Sequence, residues 1–248
     1  MTDVLAIRSR ANPRYKELKA WQRAGAAAPV LLVEGEKLIR EAVAAGLRPR
    51  AVWRTPAVGG DFSCPTYQVS ADMYGPLSPT RSGKPPLAVF DKNDLLQQKP
   101  PTTGRLLLLD AVQEPGNTGA LIRAAAAFDF DGVVYALPGC SPFHHACIRA
   151  SAGTVFHIKH YALSEDSLAA WLTENPLPIF GADGAGRDLH DLTWPRDLVL
   201  AMGNEGHGLR EHLRARLTDL VAIPIQPRVE SLNVAGAAHI LMYAMTRG

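Results

Sequence analysis

From Leu106 onward the sequence alternates short, uninterrupted apolar runs with helical stretches, and this alternation constrains the fold more than any other feature. Leu106 to Leu109, Val133 to Ala136, Phe156 to Tyr161, Ile179-Phe180, Leu198 to Met202 and Val221 to Ile225 read as strands. Thr118 to Phe128, His144 to Ala150, Glu165 to Thr173 and Leu209 to Leu217 read as the helices among them. Strands with no polar face need cover on both sides, so the expected class is α/β: a parallel sheet with helices on each face. Folds of this kind build ligand sites at the carboxyl ends of their strands.

The first 95 residues read as a smaller αβ unit. Asn12-Pro13 starts a basic helix, Asn as cap and Pro at the first helical position. Strands are expected at Pro29 to Val33, Ala51 to Trp53, Thr66 to Val69 and Leu87 to Phe90. A helix over Glu36 to Ala45 should turn Leu38, Ile39, Ala42 and Val43 inward and stop at Gly46. The loop SPTRSGKPP, Ser78 to Pro86, looks too polar and broken to pack. Asp91 to Gly104 is polar and holds prolines, so residues 96–104 are expected to link a domain over 1–95 to one over 105–248.

Charge separates the same two parts. Residues 1–60 hold eleven Lys and Arg against five Asp and Glu, whereas the rest of the chain is mildly acidic. A basic N-terminal part suits a polyanionic partner. The cysteines Cys64, Cys140 and Cys147 are odd in number, so a reducing cytosol is the expected compartment. No secretory leader is expected, because Arg8 and Arg10 interrupt the mildly apolar start. Arg123, Asp129 and Asp131 break the one alanine-rich stretch that approaches bilayer length.

Three stretches can carry chemistry. In LLLLDAVQEPGNTGALIRAAAAF a strand ends at Asp110, and a Pro-Gly turn leads into a helix that Asn117 is expected to cap. Arg123 should sit on a largely buried face, and a buried guanidinium needs either a carboxylate partner or a ligand. In LVLAMGNEGHG a strand runs into three glycines within six residues, with Glu205 among them. Such a loop lets a ligand approach the backbone closely, yet it has neither the dinucleotide fingerprint nor a Gly-Lys-Ser/Thr phosphate loop. In VAIPIQPRVESLNVAGAAHILMYAM, Pro224 interrupts a strand, and a loop with Arg228 and Glu230 leads into an apolar helix. Ser231 or Asn233 is the expected cap; Leu232, Ala235, Ala238, His239, Leu241 and Met242 follow at helical spacing.

Other chemistries find less support. Cys140, His144, His145 and Cys147 crowd together, but adjacent helical histidines point apart and no second Cys/His pair has zinc spacing, so no metal site is expected. A Ser-His-Asp hydrolase lacks its Gly-x-Ser-x-Gly elbow. His207, beside glycines, should face solvent.

Taken together and in order, the three stretches resemble the motifs of the SpoU (TrmH-like) family of RNA ribose methyltransferases, within the knotted SPOUT class. Asn117 and Arg123 match its first motif, Gly203 to Gly206 its second, and Ile223-Pro224 with Ser231-Leu232-Asn233 its third. Arg149-Ala150-Ser151-Ala152-Gly153 matches a RASAG-type segment. Glu114-Pro115 in place of Asp-Pro, and Thr118 in place of an aliphatic residue, are mild departures. The N-terminal part, through NPRYKELKAWQRA and LLVEGEKLIREAVAAGLRPRAVW, is similar to the L30e-like substrate-binding domain often attached to such enzymes.

The resemblance implies a SPOUT domain with a C-terminal trefoil knot, behind a smaller L30e-like domain. It implies methyl transfer from S-adenosylmethionine to a ribose 2′-hydroxyl in structured RNA, with ribosomal RNA ahead of transfer RNA, and a homodimer. A non-catalytic RNA-binding or ribosome-assembly protein on the same fold is the competing class. Arg123, Asn117, Glu205, Ser231 and Asn233 would form the reacting site; Gly203, Ile223 and Leu232 would hold the cofactor. A guanidinium hardly deprotonates, so binding phosphate and stabilising oxyanion character suits Arg123 better than acting as a base.

Overall fold

The computed structural model describes residues 4–81 and 83–246. Ser82, within the loop expected over Ser78 to Pro86, lies outside the described residues. In the first unit, β1 (Val4–Ala6), β2 (Val30–Glu34), β3 (Ala51–Arg54), β4 (Thr66–Gln68) and β5 (Leu87–Asp91) form a sheet ordered β1-β4-β3-β5-β2. β1 and β3 run parallel to β4, and β5 runs antiparallel to β3 and β2. The edge strand β1 escaped the sequence reading because it has three exposed residues and no burial pattern.

Three helices complete this unit: α1 (Pro13–Ala24), α2 (Glu36–Ala44) and the single turn α3 (Ala71–Tyr74). α1 starts as the sequence predicts, with Asn12 accepting from Arg14 N at 2.9 Å and Pro13 where no amide is needed. α2 buries Ile39 and Ala42 but leaves Val43 49% exposed, so its inward face is narrower than expected. Ser78 is buried and its hydroxyl donates to Thr80 O at 2.7 Å, so the loop expected to stay open packs at its start.

The second unit contains β6 (Arg105–Asp110), α4 (Pro115–Ala127), β7 (Gly132–Ala136), α5 (His145–Ala150), β8 (Lys159–Leu163) and α6 (Glu165–Glu174). It continues with β9 (Ile179–Asp188), β10 (Leu198–Met202), α7 (Glu211–Arg214), β11 (Asp219–Ala222) and α8 (Val234–Met245). Its sheet is parallel throughout, in the order β11-β9-β10-β6-β7-β8. β8 starts later than expected because Thr154–Phe156 forms a 3-10 turn. α7 is one turn, shorter than the helix expected over Leu209 to Leu217. β11 ends at Ala222, ahead of Pro224, which has no amide to give a ladder.

One hydrophobic cluster runs through both sheets. Leu31, Ile39 and Phe90 share it with Leu121, Ile148 and Val155. Leu95, in the stretch expected to be a polar linker, is buried in that cluster, and Gln97 N donates to His160 O at 2.8 Å. His157 Nε2 meets Glu41 Oε2 at 3.1 Å across the same junction.

α8 packs on α4 through a face of Ala235, Ala238, Leu241, Met242 and Met245. Leu232 and His239, expected on that face, are exposed. Since β11 lies beyond β9 and β10 from β6, residues 223–233 must run back across the strand ends to bring α8 to α4.

Candidate active site

β6 and β10 lie side by side with Leu109 opposite Met202, and the strand order reverses there. Their loops therefore open into one crevice, where parallel sheets form ligand sites. Asp110, the last residue of β6, is 0% exposed, and its carboxylate accepts from Arg210 N at 2.7 Å and Arg210 Nε at 2.6 Å. Asn204 Nδ2 donates to Ala111 O at 3.0 Å, tying the second loop to the first again. The loop after β10 is closed by reciprocal backbone bonds between Asn204 and Gly208, each 2.9 Å. Gly203 is pressed so near that a Cβ there would lie 2.2 Å from Gly208 C, so a larger residue would open the loop.

Glu205 reaches from this loop to the start of α4. Its carboxylate accepts from Gln113 N at 3.2 Å, Glu114 N at 3.1 Å and Asn117 Nδ2 at 3.0 Å. Burial by itself raises its pKa, but the bond from Asn117 and those from backbone amides together outweigh it, holding the carboxyl below its ordinary value. Ionised at neutral pH and engaged at both oxygens, Glu205 is built to fix geometry.

Asn117 is bound at both ends of its amide. Its Nδ2 gives to Glu205 and its Oδ1 accepts from Asn233 Nδ2 at 3.0 Å. Asn233 Oδ1 then accepts from Ala235 N at 2.9 Å and Gly236 N at 3.3 Å, capping α8. A carboxylate can only accept, so it sets the orientation of both amides in turn. The cap of α8 is thus Asn233 and not Ser231. Asn117 does not cap α4: the helix opens at Pro115 behind Glu114, and Asn117 lies inside its first turn.

Arg123 departs most from expectation. It is exposed, and among the described residues it makes no hydrogen bond or ion pair. Leu121, Ile122, Ala124 and Ala125 take the buried positions around it. Six residues along a helix from Asn117, it stands roughly 9 Å further along the axis and roughly 120° around it. Direct hydrogen bonds therefore join Asn117, Glu205 and Asn233, while Arg123 and Ser231 stay outside that set. Ser231 and Leu232 are exposed ahead of the cap, Ile223 is half-buried just past β11, and Gly203 is buried at the end of β10.

The buried Asp110–Arg210 pair was missed in the sequence, although an apolar run ending abruptly in Asp, and an Arg just past the glycine loop, marked both partners. Among the described residues no His, Cys, Asp and Glu cluster is arranged for a metal ion. His144 and His145 do not point apart: His144 is the cap of α5, and the two rings lie 4.3 Å from one another. His207 turns its Nδ1 to Asn204 Oδ1 at 3.1 Å.

The profile of the SpoU rRNA methylase family matches residues 104–243. The 23S rRNA (guanosine(2553)-2′-O)-methyltransferase RlmP of Bacillus subtilis is 31% identical over 222 residues, 86% of this chain and 86% of that protein. A protein assigned to the TrmH family of RNA methyltransferases, from Porphyromonas gingivalis, superposes with a TM-score of 0.83 at 27% identity, over 96% of this chain and 99% of that one. An AdoMet-bound rRNA methyltransferase from Sinorhizobium meliloti has the same fold, with a TM-score of 0.83, 24% identity and 98% of each chain covered.

Proposed function

The chain belongs to the SpoU rRNA methylase family, and on that premise we propose that it transfers a methyl group from S-adenosylmethionine to the 2′-hydroxyl of a ribose in structured RNA. Ribosomal RNA is the favoured substrate and transfer RNA the alternative. The basic N-terminal unit suits a large folded RNA, and the Bacillus subtilis relative, similar over most of its length, is named for ribose methylation of 23S rRNA. The observation that carries the reading is the chain of hydrogen bonds Glu205–Asn117–Asn233, which draws all three motif segments into one site.

S-adenosylmethionine fits what the chain offers beside β10 and β11. Between residues 224 and 232 the one backbone hydrogen bond among the described residues is Val229 N to Gln226 O at 2.9 Å. Main-chain donors and acceptors are thus open to a ligand there, next to the apolar edges of Ile223 and Leu232. Gly203, Ile223 and Leu232 would hold the cofactor. When bound, it supplies a methyl group made electrophilic by a sulfonium. The unpaired guanidinium of Arg123 would meet the RNA phosphate beside the target ribose and stabilise charge developing on the hydroxyl oxygen. Asn117, Glu205 and Asn233 would keep the crevice in shape, and the exposed Ser231 hydroxyl would bond to the ribose.

Residues 1–95 we read as an L30e-like RNA-binding unit, with 96–104 as the connection. Ile225, Val229, Leu232, Ile240 and Tyr243 are large exposed apolar residues on α8 and the loop before it. A second copy covering them would make a homodimer and enclose the open side of the crevice. The return of residues 223–233 across the strand ends is the segment we read as the trefoil knot. Among the described residues no helix is long and apolar enough to cross a membrane, and a ribosomal RNA substrate would put the protein's work in the cytoplasm.

The test is to map 2′-O-methyl sites in RNA from cells with and without this protein, and to assay the purified protein with labelled S-adenosylmethionine on the RNA so identified. One site should disappear with the protein and be restored in vitro. An unchanged map, with a protein that binds RNA but not the cofactor, would leave the non-catalytic reading standing.

A further inference from the structure

A cleft between the two sheets lies apart from the crevice just described. Gln22 of α1, Leu32 of β2 and Lys92 just past β5 line one wall; Phe143, His144 and His145 line the other. Its volume is about 130 Å³. That is close to the roughly 150 Å³ of a cavity that takes one benzene, so the cleft has the scale of one heterocycle, far below that of a duplex. No Asp or Glu lines it.

The groups in the cleft divide into a cation and flat rings. Lys92 Nζ donates to Ala26 O at 2.7 Å and lies 5.8 Å from the centroid of the Phe143 ring, which leaves further ammonium donors open. Burial lowers its pKa, and no carboxylate offsets that effect. The rings of His144 and His145 stand 4.3 Å apart at 34°. Burial, then His144 and Arg149, lower the pKa of His145, so that ring is neutral at neutral pH. A cation beside aromatic plates, with no carboxylate in the lining, selects a ligand that is anionic at one end and planar at the other. Unpaired nucleotides in RNA are recognised in this way, by stacking on aromatic rings and by a cation at the phosphate.

The cleft also connects to the reaction crevice. His145 opens α5, whose far end packs on α4 so tightly that a Cβ at Gly119 would lie 2.5 Å from Cys147 O and 2.6 Å from Ala150 Cβ. One short helix thus separates the cleft from the helix that carries Asn117 and Arg123. We propose that this cleft takes one unpaired nucleotide of the RNA substrate, its base against Phe143, His144 and His145 and its phosphate at Lys92. The proposal rests on the RNA reading above and adds a second contact on the same strand, outside the ribose that is methylated.

The test uses the full chain with Lys92→Gln and His145→Leu. With the mapped RNA as substrate, each variant should raise KM about ten-fold, a loss within the range for one stacked base. Lys92→Gln should also reduce the salt slope of RNA binding by about one. S-adenosylmethionine affinity and melting temperature should stay at the wild-type values. A 4-thiouridine-substituted form of the RNA should cross-link to the peptide containing Phe143 to His145. The proposal is overturned if KM and salt slope do not move in either variant, or if cross-links map only elsewhere. It is also overturned if uridine 5′-monophosphate, at concentrations that do not inhibit methyl transfer, abolishes the cross-link, since the cleft would then serve a free nucleotide. Wild-type protein that cross-links at the cleft yet transfers no methyl to any RNA would instead defeat the methyltransferase reading alone.

Discussion

Asp110 and Arg210, a hundred residues apart in sequence, meet at two points: the wholly buried carboxylate accepts from the Arg210 backbone amide and forms an ion pair with the largely buried guanidinium. One ends β6 and the other follows the glycine loop, so the pair clamps the bases of the two loops that frame the crevice. Removing one partner strands a charge, which costs about 3–5 kcal/mol. Arg210→Ala should therefore melt early and bind S-adenosylmethionine more weakly, because the loop at Gly203 to Gly208 loses its anchor. Calorimetry and cofactor titration on one preparation check this. A variant that melts with the wild type would remove the clamp from consideration.

Arg123→Ala should behave in the opposite way. An exposed side chain without an ion pair leaves stability within about 0.5 kcal/mol when truncated. Loss of a charge-stabilising donor costs on the order of 10²–10³ in turnover. Melting temperature and cofactor affinity should hold while methyl transfer collapses. Normal turnover per folded molecule would take Arg123 out of the site.

Asn233→Asp isolates the amide relay. The new carboxylate still caps α8, so stability should fall by well under the roughly 1 kcal/mol of a lost cap. It has no hydrogen to give Asn117, and an Asn117 amide that flips to satisfy it must abandon Glu205. Methyl transfer should drop at least ten-fold with the melting temperature nearly kept. Asn233→Ala should lose both, and equal activity in the two variants would contradict the relay.

His160 provides a pH signature unrelated to catalysis. It is fully buried, with Nε2 2.7 Å from Val155 O and Nδ1 2.8 Å from the Tyr135 hydroxyl. Burial pushes its pKa down to about 4, against an upward pull from the Val155 carbonyl, from the ordinary 6.5. Between those two values the unfolded chain binds the proton and the folded one does not, so stability rises with pH across that window. The contribution is complete above pH 6.5 and amounts to about 3 kcal/mol, most of it gone by pH 4. His160→Gln should flatten this slope in urea titrations, whatever it does to stability at neutral pH. An unflattened slope would assign the acid sensitivity to other groups.

Local signals made much of this legible in the sequence. Apolar runs located the parallel sheet, Asn12-Pro13 located the start of α1, and the glycine loop announced itself by composition. The exposure of Arg123 was hidden because α4 is alanine-rich on every side, and small residues do not declare which face is inward. The length of β9 was hidden because Gly181, Gly184 and Gly186 break its pattern. Leu95 gave no warning either, being one apolar residue in a polar stretch that joins the shared core. The relay Glu205–Asn117–Asn233 was legible as three residues but not as a circuit, since the link between them is polarity of amides and not spacing.

The hydrophobic cluster common to both sheets has a consequence for how an RNA is chosen. Two units joined by a tether can each grasp whatever lies within reach, whereas units fused through one apolar interior hold their surfaces at a set separation. On the proposed reading, the basic helix at Pro13 to Ala24 and the crevice at Asn117 would then act as the two jaws of a caliper. An RNA would qualify by presenting its phosphates and its target ribose at that one span. Selection by length needs no reading of bases, and an insertion of a single base pair between the two points would disqualify an otherwise identical substrate.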